Sequence, residues 1–180
     1  MTRLLPIFDL DGTLLDSDEA LVAAFVALGI PRASISFGHV LGDECARLGI
    51  EVADYLAHYD STIVRPFPGA VELVAQLDRW AVCSNKHPVS GRAELARLSW
   101  EPEVALFTDA FGGPKRLEPV LERLGVAAEE VIFIGDTGHD RACATAAGAR
   151  FALAGWNPRA TADDGDVVLR TPQDLLDLLG

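Results

Sequence analysis

Short apolar runs recur along the chain, each ending in a small or polar residue and each followed by a helical pattern. The runs are PIFDLD (6–11), WAVCSN (80–85), ALFTDAF (105–111), VIFIGD (131–136), FALAG (151–155) and DVVLR (166–170). They are rich in β-branched and aromatic residues and short enough to read as buried strands. Helical periodicity fills the gaps at 69–79 after Pro68, 90–98 after Pro88, 116–125 ending on Gly125, and 140–148 ending on Gly148. Thr171-Pro172 reads as an N-cap followed by proline at the first helical position, which starts a last helix. Strand alternating with helix predicts an α/β fold, a Rossmann-like parallel sheet with helices on both faces. Pro6 cannot donate to a ladder, so the first strand is expected to begin at or just after it.

Residues 16–66 break the alternation. Apolar helical stretches at 19–28, 43–48 and 52–62 follow one another without a convincing strand, and the chain returns through RPFPG. This predicts a small α-helical lobe, 16–66, inserted in a core made of 1–15 and 67–180. An insertion at the C-terminal end of a strand sits where open α/β sheets bind ligands, so the lobe is expected to act as a lid.

The first strand ends in two aspartates, Asp9 and Asp11, one residue apart. Strand alternation points both carboxylates to one face, where a metal, a shared proton or solvent must relieve their repulsion. In a parallel sheet the strand ends share an edge. Asp9 and Asp11 therefore meet Ser84 and Asn85 from the second predicted strand and Asp136 with Asp140 from the fourth; Lys115 follows the third. Acids, one hydroxyl and one fixed cation suit phosphoryl transfer, which needs positioning and charge neutralisation. Asp9 would attack phosphorus, and Asp9 and Asp136 would each offer an oxygen to Mg²⁺, a hard ion that prefers oxygen ligands. Asp11 would serve as general acid and base. Gly12 would let backbone N–H groups approach the phosphate, while Ser84 and Lys115 complete its cradle. Asp140 reads either as a metal ligand or as an acid orienting Lys115, and Lys86 as either a surface residue or a phosphate ligand.

Asp9-x-Asp11-Gly12-Thr13, Ser84 with Asn85, Lys115, and Gly135-Asp136-Thr137 followed by Asp140 resemble, in order, the four motifs of the haloacid dehalogenase superfamily. The resemblance implies a Mg²⁺-dependent enzyme with an aspartyl-phosphate on Asp9, a metal site formed by Asp9, Asp136, Asp140 and the Asp11 carbonyl, and Gly12, Thr13, Ser84, Asn85 and Lys115 about the phosphate. SFGHVLGDECARLGI and RPFPGAVELV resemble the helical cap and its return to the core in phosphoglycolate phosphatases and β-phosphoglucomutases. Two departures stand out. The cap is trimmed between Gly29 and Gly38, and Lys115 is followed by Arg116 where the family usually carries a proline. Phosphatase is the expected activity on a small phosphorylated substrate; a phosphomutase shares every core motif, and a non-catalytic binding module would be expected to have lost Asp9 or Asp11.

Composition narrows the partners. The formal net charge of −12 disfavours nucleic acid, which needs a basic face. No segment is long and apolar enough for a membrane span, and the N-terminal stretch lacks a signal-peptide layout, so a cytoplasmic protein is expected. Cys45, Cys83 and Cys143 form no CxxC pair and read as small buried hydrophobes. His39, His139, Arg47, Arg65, Trp156 and Asn157 are candidates to border the site.

Overall fold

Leu5–Phe8 (β1) runs through the middle of a six-stranded parallel sheet, flanked by Ala81–Cys83 (β4) and Val131–Gly135 (β6). The computed structural model describes residues 4–179. Beyond β4 lies Val104–Leu106 (β5), and beyond β6 lie Arg150–Ala154 (β7) and Val167–Leu169 (β8), giving the order β5-β4-β1-β6-β7-β8. Alternation splits the sheet's side chains between two apolar layers. Phe8, Val82 and Ile134 pack with Leu73 of Ala70–Val74 (α4), Leu95 of Pro88–Arg97 (α5) and Leu175 of Asp174–Leu179 (α8). Ile7, Ala81 and Phe133 pack on the other side with Val120 of Glu118–Leu124 (α6) and Ala144 of Gly138–Ala147 (α7). Burial of a β1 side chain on either face is worth roughly 1.5–3 kcal/mol, so this strand is pinned in register from both sides.

Pro6 corrects the expected start of β1. The strand includes it, paired with Ile132 of β6, whereas pairing with β4 begins only at Ile7. The missing N–H therefore falls where the β4 ladder has not yet started. The third strand is also shorter than its apolar run: β5 stops at Leu106, and a 3₁₀ turn occupies Thr108–Ala110. Helix α4 closes at Val74, well short of 79. Thr171 bonds the Asp174 carboxylate through its hydroxyl (2.7 Å), and α8 starts at Asp174 instead of Pro172.

Between β1 and α4 the chain forms Asp18–Ala27 (α1), Leu41–Leu48 (α2) and Val52–His58 (α3) around a small core of Ala24, Phe25, Cys45 and Tyr55. Its ends are joined by a two-residue antiparallel ribbon, Leu15–Asp16 (β2) against Arg65–Pro66 (β3), which the apolar pattern did not announce. Among the described residues no helix is long and apolar enough to cross a membrane.

Candidate active site

The C-terminal edge of β1, β4 and β6 gathers the residues that the motifs single out. Asp9 follows β1 directly, and its N–H continues the ladder to the Ile134 carbonyl (2.9 Å). One Asp9 oxygen accepts the Leu10 N–H (2.7 Å), and the other lies 3.0 Å from the Lys115 ammonium. Asp136 leaves β6 beside it. Oxygens of Asp9, Asp136 and Asp140 lie within 4.8 Å of one another, and all three residues are buried.

Such crowding has an electrostatic signature. Burial, only partly offset by Lys115 and aggravated by Asp140, pushes Asp9 up to about 6. Burial and the charges of Asp9 and Asp140 push Asp136 up to about 7. Three hard oxygen donors from carboxylates that repel one another fit a small divalent cation, whose charge would relieve the strain. Asp140 has a second task. Its Oδ2 accepts the Thr137 N–H (2.9 Å) and hydroxyl (2.7 Å) at the start of α7, and its Oδ1 meets Lys115 at 2.5 Å. It thus orients the lysine while bordering the metal-type cluster. Burial alone would lower the Lys115 pKa, but Asp140 and Asp9 outweigh it and hold the ammonium charged.

Two glycines make the crowding possible. Gly12 has φ +76°, and a Cβ there would stand 2.3 Å from an Asp136 oxygen. Its own N–H is given to the Leu15 carbonyl (2.8 Å), and what the missing side chain contributes is clearance beside Asp136. A Cβ on Gly135 would fall 2.2 Å from the Asp140 carboxyl carbon. Thr13 is fully buried behind the cluster, with its hydroxyl 3.3 Å from Asp136.

Ser84 follows β4, and its hydroxyl oxygen accepts the Lys86 N–H (3.3 Å). The Asn85 amide spans two segments, donating to the Gly38 carbonyl of the insertion (3.1 Å) and accepting the Lys115 N–H (2.7 Å). That second bond fixes the Lys115 loop without the missing proline. The cysteines behave as more than filler. Cys83 donates to the Arg116 carbonyl and Cys143 to that of Lys115, at 3.5 and 3.6 Å, and Cys143 is only half-buried.

Lys86 is the largest correction. Instead of lying on the surface it is buried, with its ammonium 2.6 Å from Asp11, 2.9 Å from the Tyr59 hydroxyl and 3.2 Å from Glu94. Tyr59 in turn donates to Glu94 (2.5 Å), and Ser17 donates to the same Asp11 oxygen (2.6 Å). Burial lowers the Lys86 pKa, but Asp11 and Glu94 outweigh it. Burial pushes Glu94 up to about 7 despite Lys86. Asp11 is therefore turned away from Asp9's cluster and held by a lysine, a serine and, through the lysine, a tyrosine of the insertion.

Asn157, expected only to border the site, belongs to its frame. It donates to the Gly12 carbonyl (2.8 Å) and to Asp136 (2.9 Å), and Trp156 donates to the Thr13 carbonyl (2.8 Å). No motif spacing pointed there; the only signal was a polar residue just past the strand now seen as β7. His39 and His139 stack edge-to-face at 5.2 Å beside the entrance. Arg47 pairs with Glu44, and Arg65 bonds carbonyls of its own turn, so neither reaches the Asp9 cluster.

The comparisons agree with this architecture. Residues 6–148 match the model of the haloacid dehalogenase-like hydrolases. The chain is 29% identical to a phosphoglycolate phosphatase of Xanthomonas campestris pv. campestris, over 94% of this chain and 93% of that one. It is 30% identical to the pyrophosphatase PpaX of Halalkalibacterium halodurans, over 97% and 95% of the two chains. A crystal structure from Lactobacillus plantarum superimposes with a TM-score of 0.79 at 24% identity, covering 99% of this chain and all of that one. By motif, sheet order and family match, the chain belongs to the haloacid dehalogenase-like hydrolases.

Proposed function

We propose that the chain hydrolyses a small phosphorylated metabolite through an aspartyl-phosphate on Asp9. The observation that carries the reading is Asp9 itself. It is a buried carboxylate at the end of the central strand, 3.0 Å from Lys115, clustered with Asp136 and Asp140, and two residues from an acid with a separate environment. Asp9, Asp136 and the Asp11 carbonyl would hold Mg²⁺, with Asp140 alongside. Once bound, the ion supplies positive charge that lets the Asp9 carboxylate meet an anionic phosphoryl group.

Asp9 attacks phosphorus and the ester oxygen departs. Asp11 protonates that oxygen, then takes a proton from the water that cleaves the acyl phosphate. Lys115 and the Ser84 hydroxyl steady the transferring oxygens; removing one such donor typically costs about 2.7–4 kcal/mol of transition-state stabilisation. Asp11 must leave Lys86 and turn toward the ester. Because Lys86 also holds Tyr59, the helices of 16–66 are read as a cap over a core of 1–15 and 67–180, with cap movement linked to release of the acid. The described cysteines are all unpaired, which supports a cytoplasmic setting.

Phosphate release from p-nitrophenyl phosphate, with Mg²⁺ and with EDTA, tests the reading against Asp9→Asn. Turnover that needs both the metal and Asp9 is expected. Equal turnover by Asp9→Asn would remove the proposed nucleophile.

A further inference from the structure

We propose that the leaving group of the substrate is uncharged and largely apolar, so that compounds carrying a second anionic group, such as the ester phosphoglycolate or the anhydride pyrophosphate, are disfavoured. The inference rests on the phosphatase reading above and concerns what that site accepts. Between the Asp9 cluster and the insertion lies a cavity of ≈ 80 Å³. One end belongs to the phosphate chemistry. The other is walled by Leu21 and Phe25 of α1, Ile35, Phe37, and Tyr55 of α3. Phe25 and Tyr55 are buried against each other, ring centroids 4.5 Å apart, so this wall is fixed by the insertion's own core.

The charges at that end are already matched. Lys86 is shared between Asp11 and Glu94. Arg159 makes two bonds to Asp18 (2.5 and 2.7 Å), lies 3.7 Å from Asp136 and stands over the Phe37 ring at 4.3 Å. Glu44 adds a buried carboxylate, held by Arg47 and the Ser36 N–H. The His87 Nδ1 accepts the Val89 N–H, and burial lowers its pKa, so that ring is neutral. Among the described lining residues the lysine and the arginine are thus both committed to carboxylates, and His39 packs edge-to-face on His139. A carboxylate placed there would lose its water without gaining a partner, whereas an alkyl or aryl group would bury apolar surface. The two curated relatives differ in the substrate their names carry, so family membership does not select between these outcomes.

The test compares kcat/KM, with Mg²⁺, for phosphoglycolate, pyrophosphate, propyl phosphate and benzyl phosphate. Propyl phosphate matches phosphoglycolate in length and differs in charge, and glycolate is the better leaving group, so chemistry alone biases against the expected order. Propyl and benzyl phosphate should exceed phosphoglycolate by at least about tenfold. Ile35→Lys, which places a cation in the wall, should shift the phosphoglycolate-to-propyl phosphate ratio upward by about tenfold or more. A wild-type preference for phosphoglycolate or pyrophosphate overturns the inference while leaving the phosphatase reading intact. If Arg159→Ala abolishes that preference, Arg159 has left Asp18 to receive the anion. Failure to cleave any of the four compounds or p-nitrophenyl phosphate would overturn the phosphatase reading and this inference with it.

Discussion

The chain has two lysines, and the structure uses them in parallel ways on opposite sides of one loop. Lys115 is buried between Asp9 and Asp140; Lys86 is buried between Asp11 and Glu94. Each cation thus serves one acid of the DxD pair and a second acid from a helix. The difference lies in what else touches them. The Lys115 ammonium touches only core residues, and its backbone is held by Cys143 of α7 and by Asn85, which also reaches the Gly38 carbonyl of the insertion. Lys86 touches Tyr59, so its surroundings change whenever the insertion shifts. In the proposed reaction the Lys115 contacts persist while the Lys86 contact to Asp11 would break and re-form.

Substitution should separate the two most sharply at the acids they serve. Asp9→Asn is expected to lower turnover by at least about 10⁴-fold while the melting curve shows a folded protein, since the attacking group itself is gone. Next in size is Lys115→Met. Turnover should fall by about 10²–10³-fold, and denaturant unfolding should show a loss of roughly 3–5 kcal/mol, because Asp9 and Asp140 are left buried without their cation.

Lys86→Met should differ in kind. Burial pushes Glu94 up to about 7, and Asp11 keeps access to solvent where Asp9 and Asp140 do not, so the loss should be smaller than for Lys115→Met. Adding Glu94→Gln should then recover part of that loss in the double variant, measured by the same unfolding curves, a coupling of about 0.5–3 kcal/mol. Equal losses in both lysine variants, with no recovery, would erase the distinction.

A metal-dependent measurement sharpens the Lys115 side. Asp9 and Asp136 are raised from 3.8 to about 6 and about 7, so their native forms bind protons more tightly than the unfolded chain. That contribution is present at low pH and is lost as pH rises through about 6–7. The melting temperature in EDTA should therefore carry a penalty that grows across this interval, and the increment from added Mg²⁺ should be larger at about pH 7.5 than at about pH 5.5. Tyr59→Phe should have the smallest effect, about 1 kcal/mol in stability, read with a modest change in kcat as Lys86 and Glu94 lose one neighbour.

Legibility followed the same division. Asp9, Ser84 and Asp136 sit just past strand ends, so the parallel sheet brings them to one edge, while Lys115 in the loop beyond β5 and Asp140 in the first turn of α7 follow from short connections at that same edge. Lys86 was misread because its partners come from α5 and from the residue just past α3, and no local pattern says that Tyr59 folds back over the core. The apolar wall was hidden for a related reason: Leu21, Ile35 and Tyr55 look like ordinary lobe interior until the lobe is seen above Asp9. Asn157 escaped because a side chain bonding a backbone carbonyl 145 residues away leaves no spacing to detect. Pro6 shows the limit of a rule applied to a whole strand, since only the β4 side of the ladder objects to it.

The position of β1 also has a consequence for how the protein comes into being. LPIF precedes both of its neighbours in the chain, and Ile7 pairs with Ala81 on one side and Phe133 on the other. Its second neighbour is synthesised long after its first, and until then an apolar edge waits unpaired. Pairing across such sequence distance is slow and exposes the nascent chain to association. The Asp9 cluster is complete only when β6 lies beside β1, so acquisition of Mg²⁺ affinity would report the closing of that long-range pairing.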